Sequence, residues 1–408
     1  MSNKRKTTFL VVLLIVTNIL TFTFTNVFSV PLKNKVIVPK GEYEELTAAA
    51  EKYSKVSALE DFIEKYYLKE VDEATMLDGQ LKGLFQSLED PYSQYMSKDE
   101  FQDFMEHTKG VYGGVGVIVT PGDDNLITVV SPIEDTPGEK AGIKTGDKII
   151  KVNGEEFTAD KMDAAVKLMK GEPGTNVDMT IMRKNKDGKT KEMDISITRE
   201  EIRLKTVKSE IADDNIGYIK VTSFDDLTYD DFKVELEELK KKDIKGIVMD
   251  LRNNPGGLLD VCVDIADEFL DEGVVVYTET RDGEKEYLKS DKKKIDIPLV
   301  LLVNEGSASA SEILAGAMRD NERAVLVGTK TFGKGIVQRI KELPDGSGFK
   351  LTVSEYFTPK GTSIHEVGIE PDVVVELPED IEEIGLENLE EDVQLQKALE
   401  IIKEKVEK

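Results

Sequence analysis

The segment from Pro298 to Met318, PLVLLVNEGSASASEILAGAM, passes from an apolar run through a turn of small residues into a second apolar run. Its first six residues have the length and composition of a buried strand, and its last six favour a helix with Glu312 in the first turn. Small residues at such a junction let backbone N–H groups and a hydroxyl approach another molecule closely. The pattern fits either a nucleophilic serine beside an oxyanion hole or a tight turn with an N-cap serine, and this segment alone favours the N-cap.

A second segment, GTKTFGKGIVQ at residues 328–338, places Lys334 between two glycines in an otherwise apolar, strand-like stretch. The glycines leave room for another group to reach the lysine amine. Four residues on, Gln338 would lie on the same side of either a strand or a helix. It could accept a hydrogen bond from the amine and fix its direction. Taken alone, however, a lysine of this kind is usually a surface residue between flexible glycines.

Together, NEGSASASE at residues 304–312 and TFGKG at residues 331–335, followed by Gln338, resemble the signature of the carboxyl-terminal processing peptidases, or tail-specific proteases. The resemblance implies that Ser309 is the nucleophile and Lys334 the general base. It further implies that Gln338 orients the lysine.

A glycine turn upstream carries a further part of this resemblance. The strand-like GIVMDL at residues 246–251 runs into RNNPGG, which matches the family's DLRNNxGG pattern. Two successive glycines can present backbone N–H groups to a developing oxyanion, each worth about 3 kcal/mol in comparable sites. The resemblance implies that the N–H groups of Gly257 and Ala310 form the oxyanion hole.

The histidines and the cysteine of the chain do not suggest a catalytic pair other than serine and lysine. The chain has two histidines, His107 and His365, and one cysteine, Cys262. His107 lies in a polar segment that should be solvated, His365 lies in a predicted loop, and Cys262 is expected in the core. A Ser-Lys pair instead needs a neutral amine, and lowering a lysine pKa from about 10.4 to near 7 disfavours the charge by about 4 kcal/mol, which burial can supply.

Composition excludes several kinds of partner. The formal net charge of −26 argues against nucleic acid. One cysteine excludes an intramolecular disulfide. Two histidines and one cysteine cannot build an ordinary His/Cys metal site, so we expect neither a metal nor an organic cofactor.

The N-terminus predicts a membrane location. Lys4-Arg5-Lys6 precede the mostly apolar run from Phe9 to Phe28, which at about 1.5 Å per residue just spans a bilayer core of about 30 Å. The basic residues favour a cytoplasmic N-terminus and an extracytoplasmic remainder. No small-x-small site follows, so an uncleaved anchor is preferred to a cleaved signal peptide. We predict a cytoplasmic basic stub and signal anchor in residues 1–30 of a single-pass cell-membrane protein.

Residues 31–100 are predicted to form an N-terminal helical region, part of which joins the catalytic core. A linker at residues 31–41 precedes an amphipathic helix that ends near Tyr67. A second helix ends at Asp90-Pro91. The family resemblance implies that such helices can mediate dimerisation.

Residues 101–188 predict a separate module. The pattern GIKTGDKIIKVNG at residues 142–154 resembles a PDZ domain, and it includes an Asn-Gly hairpin signal. A PDZ domain binds an extended C-terminus by strand addition, with the carboxylate on backbone N–H groups of a glycine loop. The predicted peptide-binding residues are Gly113, Gly114, Val115, Gly116, Val117 and Ile118. Ala164, Val166 and Leu168 are candidates for the apolar pocket. A nucleotide-binding loop at the same glycines is disfavoured, because they precede a strand instead of joining a strand to a helix.

The remaining chain divides at residue 378. Alternating strands and helices predict an α/β catalytic domain at residues 189–377, and the resemblance implies a curved sheet with flanking helices. Residues 378–408 are predicted to form an acidic amphipathic helix that packs on this core or on a partner's N-terminal helices, giving a homodimer.

The sequence thus predicts a multidomain α/β (α+β) protein with an N-terminal transmembrane helix and an inserted PDZ β-sandwich or barrel. The predicted function is that of an extracytoplasmic serine endopeptidase that cleaves proteins recognised through apolar C-termini. Two alternatives stay open. One is a PDZ-containing peptide-binding scaffold with a resting or inactive peptidase domain, and the other is a hydrolase of another acyl bond.

Overall fold

A computed structural model describes residues 3–27, 30–32, 35–185, 187–213, 215–291, 294–378, 381 and 384–407. Phe28, at the end of the predicted anchor, lies outside these ranges, as do parts of the predicted 31–41 linker and 378–408 segment. The α-helices in the described ranges are α1 Asn3–Val27, α2 Lys40–Tyr66, α3 Glu73–Gln86, α4 Lys98–Lys109, α5 Pro137–Lys140, α6 Met162–Met169, α7 Thr228–Lys240, α8 Leu259–Asp267, α9 Ala310–Asp320 and α10 Val393–Val406.

The strands fall into several sheets. In chain order they are β1 Val30–Leu32, β2 Lys35–Ile37, β3 Gln94–Met96, β4 Val111–Gly114, β5 Val117–Pro121, β6 Ile127–Pro132, β7 Lys148–Val152, β8 Glu155–Glu156, β9 Asn176–Lys184, β10 Thr190–Thr198, β11 Glu200–Arg203, β12 Val207–Asp213, β13 Ile216–Val221, β14 Gly246–Asp250, β15 Gly273–Thr280, β16 Lys285–Ser290, β17 Leu299–Val303, β18 Ala324–Gly328, β19 Ile336–Glu342, β20 Gly348–Phe357 and β21 Val373–Val374.

The chain folds as two units, Met1–Gln80 and Leu81–Lys408. In the first unit, Arg5–Phe24 of α1 is the one helical segment among the described residues that is long and apolar enough to cross a membrane. Its mean hydropathy is 2.1 over 20 residues. A signal sequence near the N-terminus has the same properties, so this helix fits both the predicted anchor and its alternative.

Helix α2 has no buried residue along its 27-residue length. Its apolar side chains are exposed, including Leu46, Tyr53, Leu59 and Phe62. The amphipathic pattern therefore predicted a helix correctly, and its apolar face is open to solvent in the chain alone.

The predicted PDZ module is an antiparallel sheet in the order β10-β9-β7-β6-β5, with β8 paired to β7. Val152 pairs with Glu155 across the predicted Asn-Gly turn. The predicted boundary at residue 188 is wrong, because β9 and β10 pair along their whole length on either side of it. Strand β10 also supplies Ile197 to the module's core. The pattern of residues 177–183 showed one strand of this hairpin and not its more polar partner.

The catalytic region contains a second sheet in the order β12-β13-β14-β17-β18-β21. From β13 to β21 the neighbouring strands are parallel, as an α/β core predicts. Parallel strands bring their carboxyl ends to one edge of the sheet. The turn after β14 and the turn after β17 therefore meet, which brings the glycine turn to the serine loop.

A third sheet, β16-β15-β20-β19 with β3 paired to β20, is antiparallel and lies beside this edge. It supplies Gln338 on β19 and Tyr356 on β20. Apolar side chains of α7, α8 and α9 share one core with residues from both sheets, which fixes the third sheet against the parallel one.

Helix α10 packs on the other face of the parallel sheet through Leu395, Leu399 and Ile402. Asp392 at its N-cap reaches Arg252, a fully buried side chain in the glycine turn. Both guanidinium NH groups donate to Asp392, and Asp250 accepts from the same guanidinium. The C-terminal helix therefore packs on the core, as one of the two sequence alternatives predicted. Its apolar face is not free for a partner.

Replacing Arg252 should destabilise the catalytic region strongly. Arg252→Met leaves the Asp250 and Asp392 carboxylates buried without their cation, and breaking a buried pair in this way costs about 3–5 kcal/mol. We expect a lower midpoint of thermal unfolding for the full-length chain. Arg281→Met is the matched control, because the Arg281 side chain is 96% exposed. Equal midpoints for the two variants would contradict the role given to this cluster.

Candidate active site

The predicted nucleophile lies between β17 and α9. Ser309 has φ 55° and ψ −115°, a conformation rarely adopted by residues other than glycine. Such strain persists only where surrounding structure imposes it, and it is concentrated at functional sites. A Cβ atom on Gly256 would lie 2.8 Å from the Ser309 Cβ, so only glycine fits there. Ser309 occupies the N-cap position that the simpler alternative predicted, but in a strained conformation that a plain cap does not need.

One carboxylate joins the serine loop to the lysine loop. Glu312 is 0% exposed, and its Oε2 accepts hydrogen bonds from the backbone N–H groups of Ser309 at 2.9 Å and Lys334 at 2.8 Å. Its Oε1 accepts from the Thr331 hydroxyl at 2.6 Å and the Gly333 N–H at 2.8 Å. Buried acceptors that are fully hydrogen-bonded hold their partners firmly. The two sequence motifs are thus fixed to each other by a single side chain.

A cavity of about 340 Å³ brings together the five residues predicted for catalysis. Ser309, Lys334, Gln338, Gly257 and Ala310 all line it. These residues are spread over some eighty positions of the sequence. The strand ends described above meet at one edge of the sheet and bring them together.

The two predicted oxyanion donors come from different backbone settings. Ala310 is the first residue of α9, where N–H groups lack partners within the helix and carry the positive end of its dipole. Gly257 has φ 150°, and a Cβ atom on it would lie 2.1 Å from the carbonyl oxygen of Phe224. The second glycine of the turn is therefore required by the close approach of Phe224.

Lys334 is half-buried, and its pKa is lowered from the ordinary value, mainly by burial and then by the charge of Lys350. Asp90 and Glu312 act in the opposite direction. The amine lies 4.8 Å from the centre of the Tyr92 ring. Lys334 lies in neither the strand nor the helix that the sequence left open, since it precedes β19 in a loop. The N–H groups of Gly333 and Lys334 in this loop bond to Glu312.

Gln338 lies on β19, and its Nε2 donates to the carbonyl oxygen of Tyr92 at 2.6 Å. This bond fixes the side-chain amide beside the residue whose ring faces the Lys334 amine. A direct hydrogen bond between the lysine amine and Gln338 is not among those of the described residues. The orienting role of Gln338 stays a prediction.

Tyr356 is a site residue that sequence reasoning missed. It is 1% exposed, its hydroxyl donates to the carbonyl oxygen of Lys334, and it makes a side-chain hydrogen bond with Ser309. Burial raises the pKa of this tyrosine, so it stays protonated. The sequence SEYF on β20 carries no signal that marks its tyrosine as part of the site.

Helix α4 supplies another wall that the sequence did not predict. Phe104, His107 and Thr108 line the cavity, so the expectation that His107 lies only in a solvated segment is incomplete. His365 lines a neighbouring cleft. Among the described residues, no hydrogen bond joins Ser309 to His107 or His365. The structure therefore does not assemble a Ser-His pair.

Cys262 is buried as predicted, and its thiol donates to the carbonyl oxygen of Ala310 at 3.0 Å. Burial raises the pKa of the thiol, which keeps it from acting as a nucleophile. Within the described part of the chain, no group of three or more His, Cys, Asp or Glu side chains is arranged to hold a metal ion.

The PDZ module has a groove of about 350 Å³ between its edge strand β5 and helix α6. Of the predicted loop, Val115, Gly116, Val117 and Ile118 line this groove. Gly113 and Gly114 do not, because they pair with β11 at the base of the module. Of the three predicted helix residues only Val166 lines the groove, and the more deeply placed Met169 joins it.

Three family models match parts of the chain. Residues 215–375 match peptidase family S41, residues 128–183 match the PDZ domain, and residues 14–100 match the N-terminal domain of the activating protease CtpB. The fold is shared with a putative S41 protease from Bacteroides fragilis, at 16% identity and a TM-score of 0.52 over 79% of this chain and 90% of that one.

Two relatives match most of the chain. The carboxy-terminal processing protease CtpA of Bacillus subtilis is 40% identical over 330 residues, 80% of this chain and 70% of the relative. A carboxy-terminal-processing protease of Bartonella bacilliformis is 40% identical over 337 residues, 80% of this chain and 76% of the relative. With this coverage and identity, the chain belongs to the carboxy-terminal processing serine proteases of peptidase family S41.

Proposed function

We propose that the protein is an endopeptidase in which Ser309 attacks the scissile carbonyl and Lys334 takes the serine proton. The observation that carries this proposal is the Glu312 carboxylate, which holds the backbone of both residues at one cavity. A neutral amine is needed for proton transfer, and burial of Lys334 favours that form. Gly257 and Ala310 would bind the oxyanion through their N–H groups.

The reaction proceeds in two stages. The Ser309 oxygen bonds to the carbonyl carbon while its proton moves to Lys334, and the carbonyl oxygen becomes an oxyanion. Lys334 then gives the proton to the leaving amine as the peptide bond breaks, leaving an acyl-enzyme. A water molecule, deprotonated by Lys334, hydrolyses the ester and regenerates the serine.

Tyr356 positions both reacting residues in this scheme. Its single hydroxyl contacts the Ser309 side chain and the Lys334 carbonyl, so it restrains the nucleophile relative to the lysine loop. The Tyr92 ring lies beside the Lys334 amine, and Gln338 holds Tyr92 through its hydrogen bond to the Tyr92 carbonyl oxygen.

Ser309→Ala and Lys334→Ala should each abolish cleavage, since removing a nucleophile or its base lowers kcat by about 10⁴-fold or more. The assay follows an unfolded protein with an apolar C-terminus, incubated with the full-length chain in detergent. Lys289→Ala is the matched control and should keep activity, because Lys289 is exposed on β16 and does not line the cavity. Cleavage by the Ser309 or Lys334 variant at the parent rate, in folded protein, would rule out this mechanism.

The rate of cleavage should rise with pH as Lys334 loses its proton. Its pKa lies below the ordinary lysine value, so the rise occurs below pH 10.5. Lys350 is a like charge that lowers this pKa, and removing it in Lys350→Gln should raise the pKa and move the rising limb of kcat/KM to higher pH. Lys341→Gln removes an exposed charge on β19 and should leave the limb in place. A shift toward lower pH in Lys350→Gln would contradict lysine as the base.

The PDZ groove suits the C-terminus of a substrate. Strand β5 is at the edge of its sheet and can pair with an extended segment, while Val115 to Ile118 present the loop for the terminal carboxylate. Val166 and Met169 give the pocket an apolar floor. A substrate with an apolar C-terminus should therefore compete for binding with its own free tail peptide, and an amidated tail should compete less well.

We further propose that α1 anchors the protein in the cell membrane, with the catalytic part outside, and that α2 pairs with a second copy. The exposed apolar face of α2 supports the proposed pairing with a second copy. The chain should stay in membranes washed with alkaline carbonate, and in detergent it should have the mass of two copies. Leu46→Asp with Phe62→Asp should yield one copy, whereas Lys55→Asp should not. Extraction by carbonate would contradict the membrane anchor. A parent protein with the mass of a single copy would contradict the pairing through α2.

The scaffold alternative predicts peptide binding without cleavage. It retains no specific support, since the residues needed for acyl transfer all face one cavity. A hydrolase of another acyl bond keeps the same residues, but an edge strand with a carboxylate loop suits polypeptide substrates better than small esters.

A further inference from the structure

A second cleft adjoins the catalytic cavity on its lysine side. Its volume is about 1020 Å³, and Ile336 lines both spaces. Gly333, which precedes the lysine, and Tyr92, whose ring faces the amine, also form part of its wall. The catalytic cavity, at about 340 Å³, holds only a few side chains. An extended polypeptide that places a bond at Ser309 must therefore continue beyond it.

The position of the base decides which part of the polypeptide enters this cleft. Lys334 returns its proton to the amine of the leaving segment, so that amine must lie on the lysine side of Ser309. Among the described residues that line the cleft, neither oxyanion donor is present. The cleft thus lies on the side of the residues that follow the scissile bond.

The charges around the cleft are mostly negative. Its acidic side chains are Glu89, Asp90, Glu279, Glu355 and Glu366, against the single cation Arg281. Glu279 is paired with Lys285, and Arg281 lies 3.9 Å from Asp282 outside the cleft. In the described part of the chain, no lysine or arginine forms a salt bridge with Glu89, Glu355 or Glu366. The cleft therefore presents a negative field to whatever enters it.

We propose that this cleft binds the leaving segment of the substrate and selects lysine or arginine in the first few positions after the scissile bond. This inference rests on the proposed Ser-Lys endopeptidase. The exposed ring of Phe332, 59% accessible, also lines the cleft. Long basic side chains fit such a surface, because their alkyl stems pack on apolar groups while the charged ends reach carboxylates.

The test uses two quenched fluorescent peptides that differ only after the cleaved bond, with two lysines or two glutamates there and the same apolar C-terminus. For the full-length chain in detergent, we expect kcat/KM to be about fivefold higher for the lysine peptide, as a few solvent-exposed ion pairs allow. The preference should fall as sodium chloride is raised from about 0.05 to 0.5 M, because screening weakens exposed charge pairs. Mass spectrometry verifies that both peptides are cut at the same bond.

Glu355→Gln with Glu366→Gln should lower the preference by at least half, with Glu89 and Asp90 still in the cleft, while keeping cleavage of a peptide with neutral residues at these positions. Glu376→Gln with Glu404→Gln removes the same charge from exposed positions outside the cleft and should keep the preference. Equal kcat/KM for the two peptides in the parent, or a preference that the first pair of substitutions leaves unchanged, would overturn the proposal.

Failure of catalysis would be distinguishable from failure of the cleft. If the folded parent cuts neither peptide, the endopeptidase proposal fails. The cleft is then tested by fluorescence anisotropy with labelled leaving-segment peptides and Ser309→Ala protein. Tighter binding of the lysine peptide, weakened in Glu355→Gln with Glu366→Gln, supports the cleft. Equal binding of the two peptides overturns it.

Discussion

The site depends on the buried carboxylate of Glu312. A charge removed from water must be compensated, and here four hydrogen bonds from Ser309, Thr331, Gly333 and Lys334 replace its hydration. Three of these donors are backbone N–H groups, so the carboxylate fixes the path of two loops and not merely two side chains. No lysine or arginine in the described chain forms a salt bridge with it. Glu312 therefore orders the site without pairing with the Lys334 amine, as the proposed role of that amine requires.

The parallel sheet supplies the other half of the geometry. Strands β14 and β17 are neighbours, and the turns that follow them carry the glycine pair and the serine. Arg252 holds the first turn through its ion pairs with Asp250 and Asp392, which link the turn of the proposed oxyanion donor Gly257 to the C-terminal helix. The buried ion cluster does not line the cavity, yet it holds the turn that carries Gly257.

The sequence predicted those parts of the site that depend on local pattern. Ser309, Lys334 and the glycine turn stand in long motifs, and the strand-to-helix junction at residue 309 follows from the change in apolar periodicity. Tyr356 and Tyr92 could not be found in this way, because their roles come from tertiary contacts between strands and loops that carry no motif. The predicted end of the PDZ module at residue 188 is wrong for the same reason, because the polar strand β10 is specified by its pairing with β9.

Lys334 lies where the catalytic cavity meets the acidic cleft, so its charge depends on what fills both. Burial and Lys350 lower its pKa, whereas Asp90 and Glu312 raise it. A substrate in the cavity displaces water and disfavours the charged amine further. A cationic side chain near Asp90 opposes the field of that carboxylate and also favours the neutral amine. Because both changes act in one direction, a basic leaving segment would, in the proposed mechanism, bring the lysine into its neutral form as the scissile bond reaches Ser309.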